Sequence, residues 1–308
     1  MAGILLEIRK KIGGIRNTRK ITKAMQLVAA SKMRQFQKKA VSTRDYARQL
    51  LEILKRDFET EETPETIYTK SPKRKSVYEQ KLPTMFVVYT SDKGLCGALN
   101  TNILKALTRS EEWQKTAAEE RMLITIGRKS REYARINHIP IEKSFQNIPD
   151  KLETLDALKI IDSIMSYWHE SKVKQVVFLS PHYKNSFTYY PIFKTLLPFS
   201  LDMIETHLRH NHKDIHKKQV KFRKYMIYEP SRKRMLEALF EQLIENIFIQ
   251  SFFELKASEY SSRMIAMQNA TDAAENMIHD LTLTYNKTRQ QVITQELAEL
   301  IGAAEALS

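Results

Sequence analysis

The chain has 308 residues, and with 42% hydrophobic and 28% charged residues it is too apolar for general disorder and long enough for a sizeable core. The net charge of +14 indicates an acidic partner, which could be nucleic acid, an anionic membrane surface or an acidic protein. One cysteine, Cys96, excludes an intramolecular disulfide and a thiolate metal cage. No apolar run approaches the ~18 residues of a membrane span, and the start MAGILLEIRKKIGG lacks a signal-peptide core, so we expect a mature helical start.

The N-terminal segment is predicted to be one long helix, because residues 16–62 contain neither Gly nor Pro. Apolar or small residues recur there in alternating steps of three and four, which is the pattern of a helix with one packing seam. The predicted seam comprises Ile8, Ile12, Ile15, Thr18, Thr22, Met25, Ala29, Met33, Phe36, Ala40, Thr43, Ala47, Leu50 and Leu54.

The C-terminal segment is predicted to be a second long helix, since residues 231–301 also lack Gly and Pro. Ser231 follows Pro230 and is a plausible N-cap. A straight helix of this length would extend roughly 100 Å, more than a compact domain can hold. Its predicted seam comprises Leu236, Leu239, Leu243, Ile247, Leu255, Ile265, Ala270, Ala274, Met277, Leu281, Tyr285, Thr288 and Val292.

The two helices are expected to pair with each other as a coiled coil, because helices of this length bury their apolar stripes against one another. Residues 1–58 hold fifteen basic and four acidic residues, whereas residues 231–308 hold seven and eleven. The opposite net charges reduce self-repulsion, but exposed ion pairs contribute only tenths of a kcal/mol each. The seam must therefore supply most of the stability.

The central region is predicted to be a small mixed or parallel α/β sheet, because strand-like and helix-like patterns alternate. The strand-like runs are TMFVVYT (84–90), RMLITIG (121–127), KVKQVVFLS (172–180) and YMIYE (225–229). The helical patterns occupy 101–119, 128–137 and 152–170. The predicted organisation is an N-terminal helix (1–60), a linker (61–83), an α/β domain (84–229) with a basic insertion (206–224), and a C-terminal helix (230–308).

The only glycine loop, SDKGLCGALN (91–100), follows the first predicted strand, where nucleotide-binding folds carry their phosphate loop. It contains GxxG but neither GxGxxG nor GxxxxGK[ST]. A tight turn with Cys96 buried is therefore the favoured interpretation. The alternative, a nucleotide-dependent enzyme, predicts ligand binding at this loop.

Other candidate chemistry is weak. Four histidines at 207, 210, 212 and 216 could be considered as zinc ligands, but neighbouring Lys and Arg oppose cation binding and favour a solvated basic loop. The chain has no GxSxG or HExxH. We therefore predict no catalytic, cofactor or metal site.

A basic coiled-coil protein that binds nucleic acid remains an alternative, because the N-terminal helix and residues 206–224 could follow phosphates. Its cations are interrupted by a seam that another helix must cover, and no nucleic-acid motif accompanies them. Steeply salt-dependent DNA binding by the isolated chain would favour this alternative.

Three segments in order resemble the gamma subunit of the F-type ATP synthase. They are IRKKIGGIRNTRKITKAMQLVAASKMRQFQ (8–37), TSDKGLCGALNTNI (90–103) and SEYSSRMIAMQNATDAAENMIHDLTLTYNKTRQQVITQELAELIGAAEAL (258–307). The resemblance implies an antiparallel coiled coil of the terminal helices with a central Rossmann-like α/β domain. Together with the patterns above, it predicts a mixed α+β and α/β fold.

The resemblance also implies a rotating central shaft that couples ring rotation, driven by proton flow, to conformational cycling of catalytic beta subunits. The chain itself would be non-catalytic and without cofactor. Its expected partners are the alpha and beta subunits, the epsilon and delta subunits and the c-ring, with no nucleic acid and no direct membrane span. The expected location is peripheral, at the cytoplasmic face of a bacterial inner membrane.

The family's contact residues carry over to two groups of positions. In the N-terminal helix, Met25 matches a position known for coupling efficiency near an acidic loop of beta, although seam packing alone would also explain a Met there. Lys20, Lys23 and Lys32 would pair with carboxylates of that loop. The C-terminal contact segment matches Arg289, Gln290, Thr294, Gln295 and Glu296.

The sequence departs from the family at three points. The segment 206–224 is long and strongly basic, so we expect a lineage-specific role for it. Cys96 is the only cysteine, so the thiol control of chloroplast members is unsupported. Gly13 and Gly14 each weaken a helix by roughly 1 kcal/mol relative to Ala, so we expect a bend or fraying there.

Overall fold

The computed structural model describes residues 2–60, 66–72, 82–151, 154–212 and 228–307. The helices are α1 (Ala2–Thr60), α2 (Leu99–Arg109), α3 (Glu111–Lys115), α4 (Arg128–Ile136), α5 (Thr154–His169), α6 (Leu201–His212) and α7 (Arg232–Leu307), with a 3-10 turn at Ala118–Glu120. The strands are β1 (Thr84–Tyr89), β2 (Arg121–Ile126), β3 (Lys143–Phe145), β4 (Gln175–Tyr183) and β5 (Tyr189–Leu197).

The chain divides into two compact units. The helical unit comprises Met1–Ser31 and Arg263–Ser308, and the α/β unit comprises Lys32–Ser262. The first therefore contains one end of each terminal helix, and the second contains the sheet with the remainder of both helices.

In the helical unit, α1 and α7 are antiparallel, as their cross-helix bonds show. The Thr22 and Thr271 hydroxyls lie 2.8 Å apart, and a guanidinium nitrogen of Arg19 lies 3.1 Å from a carboxylate oxygen of Glu275. Lower residue numbers on α1 therefore lie opposite higher residue numbers on α7, which is the pattern of antiparallel helices. The predicted antiparallel pair is thereby confirmed.

The predicted seam is confirmed over most of its length and differs at its margins. Buried members include Ile12, Thr22 and Ala29 on α1 and Ala274 and Val292 on α7. Two members are exposed, Thr18 and Met277, which exposes 55% of its surface. Several others, among them Met25, are half-buried. Helix α1 continues without interruption through Gly13 and Gly14, so the expected fraying is not seen.

The α/β unit contains one five-stranded sheet in the order β3-β2-β1-β4-β5. Strands β1 to β4 are parallel, and β5 runs antiparallel to β4. Strand β1 lies at the centre and is buried along its entire length, as expected for an apolar run covered on both faces. The predicted mixed sheet is confirmed.

Three elements of this unit were not predicted: β3, β5 and α6. Helix α6 takes up residues 206–212, the start of the predicted basic insertion, and residues 213–224 lie outside the described part of the chain. The strand predicted at 225–229 is not found at its described residues, Tyr228 and Glu229, whereas 225–227 lie outside that part.

Aromatic side chains join α7 to both the sheet and α1 within the α/β unit. The Phe248 ring stacks on Tyr89 of β1 with centroids 5.7 Å apart, and it meets Phe178 of β4 edge to face at 6.0 Å. The Phe36 ring of α1 stacks on Tyr260 of α7 at 5.6 Å. These contacts make α7 part of the sheet's own core, since aromatic pairs stabilise packing beyond their buried area.

Gly127, between β2 and α4, is a position that only glycine fits. Its φ is +95°, and an added Cβ would lie 2.1 Å from the carbonyl oxygen of Thr90. We expect Gly127→Ala to lower the free energy of unfolding by at least about 2 kcal/mol, because both strain and a backbone clash oppose it.

Gly94→Ala is the matched control for this change, measured by urea denaturation of the full chain. No atom lies within 4 Å of a Cβ added at Gly94, so its effect should stay within about 0.5 kcal/mol. Equal stability of the two variants would contradict the predicted clash.

Candidate functional site

The predicted contact residues of α1 in the helical unit are accessible. Lys20 and Lys23 are exposed, and Met25 is half-buried at the margin of the seam. Three residues advance a helix by about 300°, so the two lysines project in neighbouring directions. The two ammonium groups suit a surface that meets carboxylates. Met25 is two residues beyond Lys23, about 200° further round α1, so its thioether lies on another face.

The predicted contact residues of α7 are all exposed and lie within about two helical turns: Arg289, Gln290, Thr294, Gln295 and Glu296. The Thr294 hydroxyl donates to the Gln290 carbonyl at 2.9 Å, and the Gln295 amide donates to a Glu299 carboxylate oxygen at 2.9 Å. The segment thus offers hydrogen-bond donors and acceptors to a partner, together with one cation, Arg289, and one carboxylate, Glu296.

The two groups lie at different levels of the helical unit. Thr22 opposite Thr271 sets a register in which residue numbers on the two helices sum to about 293. Arg289 is therefore level with the first turn of α1, about 16 residues from Lys20. At 1.5 Å per residue the separation is about 24 Å, so the groups would touch a partner at two separate places.

Exposed apolar side chains surround these polar groups, and the sequence patterns did not single them out. On α7 they include Leu283, Ile293, Leu297, Leu300 and Ile301, and on α1 Ile21, Leu27 and Val28. A concentration of large apolar residues on the surface indicates an interaction site. Their position off the predicted seam was the signal in the sequence that could have revealed them.

Lys32, the remaining predicted contact, belongs to the α/β unit and is already paired there. Its ammonium donates to the Asp150 carboxylate. The same carboxylate accepts hydrogen bonds from the Tyr260 hydroxyl at 2.5 Å and the Lys256 ammonium at 3.0 Å. We call these four residues the Asp150 cluster. It ties the loop after β3 to both α1 and α7.

The electrostatics of the Asp150 cluster favour the ionised carboxylate. Burial alone would raise the pKa of Asp150, but hydrogen bonds from Lys32 and Tyr260 and the charge of Lys256 hold it well below its usual range. Burial and the bond to Asp150 raise the pKa of Tyr260 to about 12. The hydrogen bond to Asp150 also raises the pKa of Lys32.

A second cluster of charges is buried where α1, α7, β4 and β5 meet. The Arg44 guanidinium lies 2.8 Å from a carboxylate oxygen of Glu254 and also donates to the Tyr183 carbonyl. The His182 imidazole Nδ1 is 2.9 Å from the other Glu254 oxygen, and Lys194 is buried nearby. We call Arg44, His182, Lys194 and Glu254 the Arg44 cluster.

Opposing effects set the ionisation of the Arg44 cluster. Burial would raise the pKa of Glu254, but Lys194, His182 and Arg44 lower it far below its usual range. Burial lowers the pKa of Lys194 against the attraction of Glu254. Such a cluster is stable only when each group keeps its partners.

The glycine loop is a tight turn, as predicted, and Cys96 is buried in it. Gly97 has φ +55°, and the Ser262 hydroxyl of α7 donates to the Cys96 carbonyl at 2.5 Å. The Asp92 carboxylate accepts from the backbone N–H groups of Arg128 at 2.9 Å and Ile148 at 3.1 Å. Nucleotide-binding α/β folds use backbone N–H groups at this edge of the sheet to bind phosphate. In this chain the Asp92 carboxylate already accepts hydrogen bonds from such groups.

Comparison with known proteins gives a consistent result. The family model described as ATP synthase matches residues 4–307. The ATP synthase gamma chain of Polaromonas naphthalenivorans is 32% identical over 301 residues, covering 98% of each chain. That of Symbiobacterium thermophilum is 33% identical over 316 residues, covering 97% of each.

Solved structures show the same fold. A chain of the Euglena gracilis mitochondrial ATP synthase aligns with a TM-score of 0.66 at 18% identity, covering all of this chain and 95% of that one. A chain of the Tetrahymena thermophila mitochondrial ATP synthase, from its central stalk and c-ring, aligns at 0.56 with 23% identity, covering 81% and 99%.

The fold therefore defines a two-unit protein, with a helical unit in which α1 and α7 are antiparallel and an α/β unit built on a five-stranded sheet. The chain belongs to the ATP synthase gamma chain family, because both the family model and relatives above 30% identity span nearly all of it. The resemblance seen in the three sequence segments is confirmed.

The Asp150 cluster predicts a stability that depends on pH. Because the folded-state pKa of Asp150 lies below its unfolded value of about 3.9, its contribution is complete above that pH and is lost as pH falls through the folded pKa. We expect Asp150→Asn to destabilise the chain by about 1–2 kcal/mol at pH 7, with a smaller difference from wild type below about pH 4.

Urea denaturation at neutral and acidic pH tests this expectation, with Asp162→Asn as control. Asp162 is exposed on α5, so its change should matter by less than about 0.5 kcal/mol at either pH. A wild-type advantage over Asp150→Asn that grows on acidification would contradict the assignment.

The Arg44 cluster predicts strong coupling between its members. Arg44→Met and Glu254→Gln should each lower the free energy of unfolding by about 3–5 kcal/mol, because each leaves buried charge uncompensated. The double variant should cost clearly less than the sum. Urea denaturation of the four proteins measures the coupling energy, and simple additivity would show that the two side chains act independently.

Proposed function

We propose that this chain is the central rotor shaft of a proton-translocating F-type ATP synthase and is itself non-catalytic. The observation that carries the proposal is the helical unit, whose antiparallel helices expose apolar and charged side chains at two levels. Isolated proteins rarely expose so many large apolar residues. A partner that surrounds the helical pair would cover them.

The mechanism follows from the irregular surface of the helical pair. Exposed lysines lie on α1 and a mixed polar segment on α7, so a surrounding ring would meet a different contact at each angle. A rotor can shift the conformation of a partner only through contacts that differ between the partner's states. The unequal faces of the shaft would provide that difference in turn to each catalytic beta subunit.

The proposed partners follow from the two units. The helical unit would contact the alpha and beta subunits through Lys20, Lys23, Met25, Arg289, Gln290, Thr294, Gln295 and Glu296. The α/β unit would contact the epsilon and delta subunits and the c-ring, at the cytoplasmic face of a bacterial inner membrane. Lys32 stays in the predicted set, although its ammonium would first have to leave Asp150.

Two observations support a non-catalytic role without a bound nucleotide. Asp92 occupies backbone amides at the sheet edge, and Ser262 fills the space beside Gly97. A phosphate placed there would meet a like charge, which is unfavourable.

Among the described residues, no helix combines the length and hydropathy that crossing a membrane requires.

The proposal is tested in the assembled complex in sealed vesicles, by measuring ATP hydrolysis and ATP-driven proton pumping together. Met25→Lys adds a cation at the level of Lys23 but on another face of α1, and an extra pair with an acidic loop would hold the rotor by about 1 kcal/mol or more. We expect less pumping for each ATP hydrolysed. Unchanged coupling would contradict the proposed contact.

Arg289→Ala should lower both rates, because it removes a contact with beta, and Lys287→Ala is its matched control. Both side chains are exposed cations on α7, and two residues rotate a helix by about 200°, placing them on opposite faces. Equal losses in both variants would indicate a general charge effect. A chain that purifies without alpha and beta subunits would refute the rotor proposal itself.

A further inference from the structure

The edge of the sheet at β3 forms a basic groove that the rotor function does not explain. The groove has a volume of about 660 Å³ and lies between α4 and the segment that ends in β3. Its lining includes Arg131, Arg135, His138 and Lys143, all exposed. We call it the α4–β3 groove.

The cations of the groove are not held in salt bridges within the described part of the chain. Arg131, Arg135 and His138 form no ion pair with any residue that the structure describes, and the Lys143 ammonium rests 5.6 Å from the Phe145 ring centroid. The one carboxylate of the lining, Glu142, accepts a hydrogen bond from the Tyr167 hydroxyl at 3.0 Å. With three Lys/Arg side chains against one carboxylate in its lining, the groove carries net positive charge.

The backbone beside these cations is also available. Strand β3 pairs with β2 on one side and is the last strand of the order β3-β2-β1-β4-β5, so its other side has no partner among the described strands. An edge strand offers alternating N–H and C=O groups that an extended peptide can bind. The short strand limits such pairing to a few residues.

Charge determines which extended peptide the edge accepts. A second copy of the same edge would bring Lys143 opposite Lys143, and like charges opposite each other are unfavourable. A strand with carboxylates would meet Arg131 and Arg135, which are one helical turn apart and so share a face of α4. Ile139, Pro140 and Ile141 give the groove an apolar surface for the alternate side chains.

We propose that the α4–β3 groove binds an extended acidic segment of another protein, which pairs with the free edge of β3 while its carboxylates contact Arg131, Arg135 and Lys143. The free edge of β3 would supply main-chain hydrogen bonds to the peptide, and the cations would supply specificity for its carboxylates. It is distinct from the helical contacts of the rotor.

The test uses the full chain and a fluorescein-labelled peptide of about ten residues with alternating Glu and Val, with binding followed by fluorescence anisotropy. We expect saturable binding that Arg131→Glu/Arg135→Glu weakens about tenfold or more, because reversed charges repel the carboxylates. If that variant loses its folded circular dichroism spectrum, Arg131→Gln/Arg135→Gln replaces it, with a smaller loss expected.

Lys105→Glu/Arg109→Glu is the matched control. These residues have the same spacing and end α2 as Arg131 and Arg135 nearly end α4, so the change in net charge is the same. The control should bind the peptide within about twofold of wild type, allowing for its altered net charge. Equal weakening in both double variants would overturn the proposal in favour of nonspecific attraction.

Two further probes distinguish the mode of binding. The same peptide with N-methyl groups on alternate residues should lose affinity, because methylation removes main-chain donors; full retention would overturn strand pairing. Vesicles containing phosphatidylglycerol should show no dependence on Arg131 and Arg135. Vesicle binding that depends on them, with no binding of the peptide, would overturn the proposal in favour of a lipid surface.

Discussion

The structure depends on the pairing of α1 with α7. A helix of 59 residues and one of 76 residues cannot bury their apolar stripes alone, and most helical stability in proteins comes from such packing. Small residues at Thr22, Ala29 and Ala274 allow close approach in the helical unit. In the α/β unit the same helices also bury large aromatic side chains, including Phe36, Phe240 and Phe252.

The two charged clusters fix how the helices join the sheet. Apolar packing tolerates sliding, whereas an ion pair such as Arg44 with Glu254 has one satisfactory geometry, and any displacement leaves buried charge unpaired. The Asp150 cluster acts similarly from the loop after β3, since one carboxylate joins Lys32, Lys256 and Tyr260. In the proposed rotor role, such a fixed register would matter more than added stability.

The sequence predicted the elements whose patterns are long and regular. The two terminal helices and strands β1, β2 and β4 followed from periodicity, because many residues contribute to each signal. Strand β3 has three residues and β5 contains Pro191 and the buried Lys194, so neither shows a clear strand pattern. Helix α6 was obscured by the basic residues that follow it.

The site was predicted less completely than the fold, for a physical reason. Periodicity reports which face of a helix is apolar, but Arg44 and Glu254 are polar residues buried only because β4 and β5 lie against both helices, and that contact is distant in sequence. Lys32 looked like a free surface cation because Asp150 follows it by more than a hundred residues. Met277 was assigned to the seam because a strict 3.5-residue repeat drifts around a real helix.

The helical unit, considered by itself, carries a cost that argues for its partners. Leu297, Leu300 and Ile301 expose more than half of their surface, and each such side chain gains about 1.5–3 kcal/mol when it is fully buried. In a monomer these side chains would stay in water, would contribute no burial free energy and would promote nonspecific association. The apolar end of α7 is therefore best understood as half of an interface, whose other half belongs to a partner.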